Sequence, residues 1–367
     1  MKQFVFLILL FSSLRSYCQE KSHFFLNYTL NKTYSTDILD QFYKFINEPL
    51  DHEKGNYWVE SAYFKNPVAE IQNIFNDAKN HKITILSIIK IDEKRSVIKI
   101  ALIKANNNFG NLFAIYNFIS DSSENKVRFE NILDYNVKNF KVFIVDEIKY
   151  LTYQEYSFDK KNADKLVQFN KQMATFFEKE VISFTYFLCK DMNHFRMIRG
   201  FDFDDMMVSQ NQIGAETFPS ENLIFSGNNS EYYPHEVVHL YTHSYFPRTH
   251  QILDEGIATY FGGSKGLEFK EHISKLKNHL IKNDINIYEK LFKESQHYVL
   301  DDTTSLWYTI GALLCDIALN KYGKETLLSL MNSGKKDEDL LLAIEEKLNI
   351  KRENLDTFIK KQLLDYQ

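Results

Sequence analysis

Pro234-His235-Glu236-Val237-Val238-His239-Leu240 contains the pattern His-Glu-x-x-His, with two apolar residues between Glu236 and His239. The apolar spacing around it predicts an α-helix over 231–244, and four residues of an α-helix advance about 6 Å and return to nearly the same face. The imidazoles of His235 and His239 can therefore reach one ion at about 2.0–2.1 Å, the usual zinc–nitrogen distance. Glu236 projects to the side, where it can meet a water molecule on that ion.

A third ligand is expected shortly downstream, in Asp254-Glu255-Gly256-Ile257-Ala258. A second helix, predicted over 254–261, could bring Glu255 against the first helix, and the small residues Gly256 and Ala258 would permit the close approach. Two histidines and one glutamate with an open fourth position are the arrangement of a catalytic zinc site, whereas structural zinc sites are closed and Cys-rich. With 3 cysteines, the chain has too few for a structural site.

Together the two motifs resemble those of the gluzincin metallopeptidases, the broad group of thermolysin-like and aminopeptidase N-like enzymes, and especially of their peptidase MA-like branch. The resemblance covers roughly residues 140–365, and its specific part is confined to 234–261. It implies a Zn²⁺ ion held by His235, His239 and Glu255, with Glu236 as the general base.

The function that this resemblance implies is that of an exported zinc-dependent metallopeptidase. Zinc would activate a water molecule, which hydrolyses a peptide bond of a peptide or protein substrate with the help of Glu236. The alternative is a catalytically inactive zinc-containing binding protein with a peptidase-like fold. The spacing between the motifs is shorter than in aminopeptidase N-like enzymes, so exopeptidase specificity does not follow, and the cleavage preference stays open.

Members of this family often use a tyrosine or histidine on a later helix to stabilise the tetrahedral oxyanion. Tyr308, in Leu306-Trp307-Tyr308-Thr309, is the candidate for this catalytic role, and Tyr298 and His297 are alternatives. The opposing interpretation is that Tyr308 is one of the aromatic core residues that its helix needs, in a chain with 22 tyrosines.

Several polar residues near the motifs are candidates for supporting roles. Asp254, Thr242 or a backbone carbonyl could orient a ligand imidazole through its other ring nitrogen. His243 is not predicted to be a third ligand, because three ligands along one straight helix cannot converge on one ion; it and His250 are expected to support the ligands or to lie on the surface. The predicted strand Asn222 to Phe225 either offers an edge to an extended peptide or is a plain core strand.

The first twenty residues are typical of a signal peptide. Lys2 is followed by the apolar run 4–11 and then by Ser16-Tyr17-Cys18. The run is shorter than the about 20 residues that span a bilayer, so we expect a signal peptide at 1–18, no stable membrane span and a secreted or periplasmic location. Bulky Tyr17 does not suit a lipoprotein signal, which favours cleavage after Cys18 over lipid anchoring at that residue.

Composition narrows the partners but leaves the thiol chemistry open. The net charge is -5, from 44 basic and 49 acidic residues without a long run of one sign, which argues against a nucleic-acid partner. Cys189 and Cys315 lie in apolar stretches, where either a disulfide or two buried thiols would be compatible with the sequence. The oligomeric state does not follow from the sequence.

The hydrophobic period changes once along the chain, which predicts an α+β fold in two domains. A helix at 35–47 precedes β-branched and aromatic runs at 83–91, 96–104, 111–119, 126–135 and 140–150, which predict an antiparallel sheet. We therefore expect an antiparallel-sheet α+β accessory domain at 19–145, which also suits a small ligand-holding domain. Residues 146–367 are predicted to form a mostly helical, thermolysin-like gluzincin catalytic domain with a small sheet.

Within the second domain, the same patterns predict individual elements. Short strands are expected at 181–189, 194–201 and 221–226. Further helices are expected around Leu166 to Phe176 and at 267–283, 304–321, 325–332, 337–346 and 352–365.

Overall fold

A computed structural model of the chain has a mixed α+β fold, which confirms the predicted class. Its contacts divide the chain into two compact units, Met1–Tyr135 with Arg199–Met206, and Asn136–Ile198 with Met207–Gln367. The contact pattern thus groups 136–145 with the second unit, whereas the change in hydrophobic period predicts a division at 145. The structure describes residues 24–26, 36–47, 57–65, 81–106, 109–124, 126–204, 207, 214–294 and 298–366.

The first unit is built on a six-stranded sheet in which β4 pairs with β3, β5 and β9. Long antiparallel strands β2, β3 and β4 form its centre, and a parallel pairing adds β1 beside β2. The strands are β1 (Phe24–Leu26), β2 (His81–Lys90), β3 (Arg95–Asn106), β4 (Phe109–Asp121), β5 (Arg128–Glu130) and β9 (Phe201–Asp204). The helices are α1 (Thr36–Asn47) and α2 (Ile132–Asn136).

Aromatic side chains form the core of the first unit. Phe42 and Phe45 lie three residues apart on one face of α1 and are buried, together with Trp58. Their rings meet Phe118 of β4 and Phe129 of β5 at centroid distances between 5.6 and 6.1 Å. Helix α1 is thus held against the sheet by the apolar face that the sequence predicted.

The second unit has a five-stranded mixed sheet of order β10-β11-β8-β7-β6. Strands β7, β8 and β11 are parallel, and antiparallel β6 and β10 flank them. The strands are β6 (Lys141–Val145), β7 (Ile148–Thr152), β8 (Phe184–Leu188), β10 (Ala215–Phe218) and β11 (Leu223–Ser226).

Helices make up most of the rest of the second unit and bury a continuous apolar core. A π-helical turn, Ala318–Tyr322, follows α9. The helices are α3 (Lys160–Phe177), α4 (Met192–Ile198), α5 (Pro234–Tyr245), α6 (Gln251–Gly262), α7 (Phe269–Lys282), α8 (Ile287–Phe292), α9 (Leu306–Ile317), α10 (Lys324–Met331), α11 (Asp337–Leu348) and α12 (Leu355–Asp365).

Three of the predicted strands differ from the structure. Residues 126–135 contain only the short β5 before α2 begins, and 140–150 is a hairpin that turns at Asp146, whose φ is 49°. The prediction of a strand at 194–201 is wrong, because the Asp191 side chain accepts the His194 backbone N–H at 2.7 Å and starts α4 there.

Two predictions about the ends and the cysteines have different outcomes. The signal peptide at 1–18, including Cys18, lies outside the described residues. Among the described residues, no helix is long and apolar enough to cross a lipid bilayer. Cys189 and Cys315 are both buried thiols, and Cys315 Sγ lies 3.9 Å from the Leu253 carbonyl oxygen.

Candidate metal centre

Helix α5 carries the first motif and begins immediately before it. Pro234 occupies the first turn, where its missing N–H costs nothing and its fixed φ suits a helix. The residues from Pro234 to Thr242 are all buried, so both motif histidines lie inside the protein rather than on a solvated face. The sequence prediction of a helix through this motif is confirmed.

Helix α6 carries the second motif and begins at Gln251, three residues earlier than predicted. Its first turn is capped by His250, whose Nδ1 accepts the backbone N–H of Ile252 at 3.2 Å. Gly256 faces Gly311 of α9 so closely that a Cβ at Gly256 would lie 2.6 Å from the Cα of Gly311. Gly256 was expected to let α6 approach α5, but the close contact at Gly256 is with α9.

Three donor atoms, two from α5 and one from α6, lie close together. Glu255 Oε2 lies 3.3 Å from His235 Nε2 and 3.7 Å from His239 Nε2. One donor atom of each residue lies within 4.8 Å of the other two. His235 Nδ1 lies 2.7 Å from the carbonyl oxygen of Gly263, which fixes the proton on Nδ1 and leaves Nε2 as the ligand atom.

The two separations from Glu255 Oε2 fit a single tetrahedral ion. Ligand atoms about 2.1 Å from an ion at tetrahedral angles lie about 3.4 Å from one another. The two distances from Glu255 Oε2, 3.3 and 3.7 Å, bracket that value. The residues His235, His239 and Glu255 could therefore hold a metal ion with little rearrangement.

The charges around the donors favour a cation. Burial alone would raise the pKa of the Glu255 carboxyl, but the adjoining imidazoles of His235 and His239 outweigh it and hold this pKa well below its usual range. Burial lowers the pKa of His239, whereas Asp254 and Glu255 raise it, and the net shift is upward. A cation bound at these donors would therefore compete with a proton for the His239 ring.

Asp254 supports the site from behind. Its Oδ2 accepts a hydrogen bond from His243 Nε2 at 2.6 Å and lies 3.4 Å from His239 Nδ1, and its Oδ1 accepts the Thr242 hydroxyl at 2.6 Å. Despite burial, which raises the pKa, the bonds from His239 and His243 hold the pKa of Asp254 far below its usual range. Of the two side chains predicted to orient a ligand imidazole, Asp254 lies next to the His239 ring, and Thr242 contacts Asp254. One donor each from His239, His243 and Asp254 forms a second close group, which shares His239 with the first.

Glu236 is fixed by a strand that sequence reasoning did not predict. Thr217, on the outer strand β10, donates its hydroxyl to Glu236 Oε2 at 2.6 Å and contacts the Glu236 backbone oxygen at 3.0 Å. No motif marks Thr217, because its partner lies 19 residues away in the sequence. The bond leaves Glu236 Oε1 as the carboxylate oxygen that can act on a substrate.

A cavity of about 260 Å³ opens onto these residues. Tyr308 lines it, with its ring stacked on His235 at a centroid distance of 5.9 Å. Burial, and then the negative charge of Glu255, raise the pKa of Tyr308, so its phenol stays protonated and able to donate at neutral pH. Tyr233 and Lys265 line the same cavity and were not predicted.

Other sequence candidates lie elsewhere. The Tyr298 hydroxyl is 3.0 Å from His279 Nε2, and His297 lies outside the described residues. His250 is buried and contacts Asp337 at 3.0 Å. Strand β11, predicted either as an edge or as a core strand, is buried and paired on both sides, so it is a core strand.

No protein-family model matches the chain, and no curated protein matches it.

Proposed function

We propose that this chain is an exported zinc-dependent peptidase of the gluzincin, peptidase MA-like type, with a thermolysin-like catalytic unit. The observation that carries the proposal is the convergence of His235 Nε2, His239 Nε2 and Glu255 Oε2 from two helices beside a buried glutamate. Structural zinc sites use closed, Cys-rich sets, whereas these three donors line a cavity and would leave a coordination position free for water or substrate.

Each residue has a defined task in the proposed hydrolysis. When bound, zinc supplies Lewis acidity, which polarises the scissile carbonyl and acidifies a water molecule. Glu236 Oε1 accepts the proton of the attacking water and delivers it to the leaving amine nitrogen, while the Thr217 hydroxyl holds Oε2 in place. Tyr308 donates a hydrogen bond to the oxygen of the former carbonyl as negative charge develops on it.

Two measurements, zinc content and peptide hydrolysis, test this proposal on the wild type and three variants. Zinc content is measured for the purified wild type, Glu255→Ala, Glu236→Gln and Glu353→Ala, the last removing an exposed carboxylate of the same unit as a control. We expect about one zinc per chain in all but Glu255→Ala, which loses a ligand. Hydrolysis of an unbiased peptide library is then expected for the wild type and Glu353→Ala but not for Glu236→Gln.

The outcomes separate the alternatives. Zinc binding without hydrolysis by the wild type would reject the peptidase and favour a zinc-containing binding protein. A wild type that binds no zinc would reject both.

A further inference from the structure

The loop between α6 and α7 determines where one ligand points. The carbonyl oxygen of Gly263 accepts the hydrogen bond from His235 Nδ1 at 2.7 Å. A neutral imidazole has one N–H, so this bond selects the tautomer with a lone pair on Nε2 and fixes the plane of the ring. The direction of the His235 lone pair therefore depends on the position of a single backbone carbonyl.

The next residue of this loop is held from behind by a buried histidine. His272 of α7 has no solvent-exposed surface, and its Nε2 lies 3.0 Å from Ser264 Oγ and 3.2 Å from the Ser264 carbonyl oxygen. Its Nδ1 lies 3.1 Å from the Thr304 hydroxyl. Because a carbonyl only accepts, Nε2 carries the hydrogen and Nδ1 accepts from Thr304. Burial lowers the pKa of His272, which keeps this neutral form.

The loop between these two attachments has an unusual backbone. Gly263, Lys265 and Gly266 all have positive φ, at 69°, 47° and 81°. Ser264 and Leu267 exchange two backbone hydrogen bonds of 2.9 Å, which close the turn. Glycine adopts positive φ without steric cost, whereas lysine there costs about 1–2 kcal/mol and keeps this conformation only where the surroundings fix it. A turn of this kind keeps its shape because other groups hold it.

We propose that His272 is a positioning residue for the metal centre: by binding Ser264 it holds the Gly263 carbonyl against His235 Nδ1 and so sets the metal affinity. It touches neither the ion nor the substrate. This inference rests on the proposed function, since it requires a metal at His235, His239 and Glu255, but it concerns a residue that the proposed hydrolysis does not use.

Conservative and non-conservative variants of His272 test the inference. His272→Gln places an amide N–H close to the position of Nε2 and can still donate to Ser264, whereas His272→Leu fills the space without a donor. His279→Leu is the matched control, because His279 lies on the same helix but contacts Tyr298 instead of the loop. Each full-length protein is titrated with zinc against a chelator, and its cobalt(II) spectrum reports the ligand geometry.

We expect His272→Leu to lose zinc affinity by about 10- to 100-fold, the usual effect of removing a partner that orients a ligand. His272→Gln should recover most of that loss, and His279→Leu should match the wild type. The cobalt spectrum should change for His272→Leu and not for His279→Leu. Thr304→Val, which removes the hydroxyl that donates to His272 Nδ1, should show a smaller loss and serves if His272→Leu does not fold.

Thermal unfolding of the zinc-stripped proteins separates positioning from a purely structural role. Equal zinc affinity and an unchanged cobalt spectrum in His272→Leu, with or without a lower Tm, would overturn the inference while leaving the proposed function intact. Failure of His272→Gln to recover any affinity would also overturn it. A wild type without zinc binding would reject the proposed function first, and this inference with it.

Discussion

Replacement of Gly256 by alanine is expected to damage both stability and the metal site. The atoms that a Cβ would meet belong to the backbone of Gly311, so no side-chain rotation can make room. The Cβ would lie 2.6 Å from the Gly311 Cα and oxygen, and closer still to its carbonyl carbon. Ordinary carbon–carbon contacts are about 3.5–4.0 Å, so α6 and α9 would have to separate by roughly 1 Å.

Two opposing terms decide the effect of Gly256→Ala on the free energy of unfolding. Alanine is favoured over glycine inside a helix by about 1 kcal/mol. Overpacking typically costs about 1–3 kcal/mol, and an overlap with backbone belongs at the upper end of that range. We therefore expect a net destabilisation of about 2 kcal/mol. Because Glu255 is the adjacent residue, a shift of roughly 1 Å also exceeds the roughly 0.5 Å within which a metal site keeps its geometry.

The assays are denaturant unfolding of the zinc-stripped protein and zinc titration against a chelator. Gly323→Ala is the control: a Cβ there meets no atom within 4 Å, but the φ of 93° imposes strain. It should cost about 1–2 kcal/mol and leave zinc affinity unchanged. Unfolding of Gly256→Ala within about 0.5 kcal/mol of the wild type, with unchanged zinc affinity, would refute the reasoning that this helix crossing positions Glu255.

Three further predictions follow from individual contacts. Thr217→Val removes the 2.6 Å hydrogen bond to Glu236, a charge-assisted bond of about 1.5–3 kcal/mol, and should lower kcat at unchanged zinc content. Thr217→Ser keeps a hydroxyl and should restore kcat. Equal kcat in the wild type and both variants would contradict the role of Thr217 in holding Glu236. Lys265→Gly removes the strain of a positive φ, which should raise the free energy of unfolding by about 1 kcal/mol, and loss of the hydrogen bond to the Asp302 carbonyl reduces this gain. A lower free energy of unfolding in Lys265→Gly would contradict this prediction. The pKa of His272 in the folded protein lies below its unfolded value, so the contribution of His272 to stability is complete above about pH 6.5 and is lost as the pH falls through the folded pKa. Plots of unfolding free energy against pH for the wild type and His272→Gln should therefore diverge at low pH, by at most about 1.4 kcal/mol per pH unit. Parallel plots would exclude this titration.

Local patterns predicted the elements that carry the motifs. Helices α5 and α6 lie within a few residues of the predicted 231–244 and 254–261, because their apolar positions recur at the helical period. The start of α6 was missed because His250 is not among the preferred capping residues. The hairpin at 141–152 was also missed, because Asp146 and Glu147 are not a typical hairpin-turn pair.

The parts of the site that escaped prediction are contacts between residues distant in sequence. Thr217 reaches Glu236 from β10, and His272 reaches the loop at Ser264 from α7. Neither depends on periodicity or a motif; each depends on how strands and helices pack in the second unit. A motif therefore names the donor atoms, but the tertiary structure determines which groups orient them.

Each of the three proposed metal ligands is oriented by a different physical device. A backbone carbonyl, that of Gly263, fixes His235, and an ionised carboxylate, that of Asp254, faces His239. Glu255 is placed by the contact between α6 and α9, which meet at two glycines, Gly256 and Gly311. His272 acts on the loop after α6, whereas Gly256 acts at the crossing of α6 with α9, and losses at two such sites add in free energy when the sites act independently. Combining His272→Leu with Gly256→Ala should thus lower zinc affinity by the product of the two single losses, whereas a combined loss no larger than either single loss would mean that both act by the same general loosening of the unit.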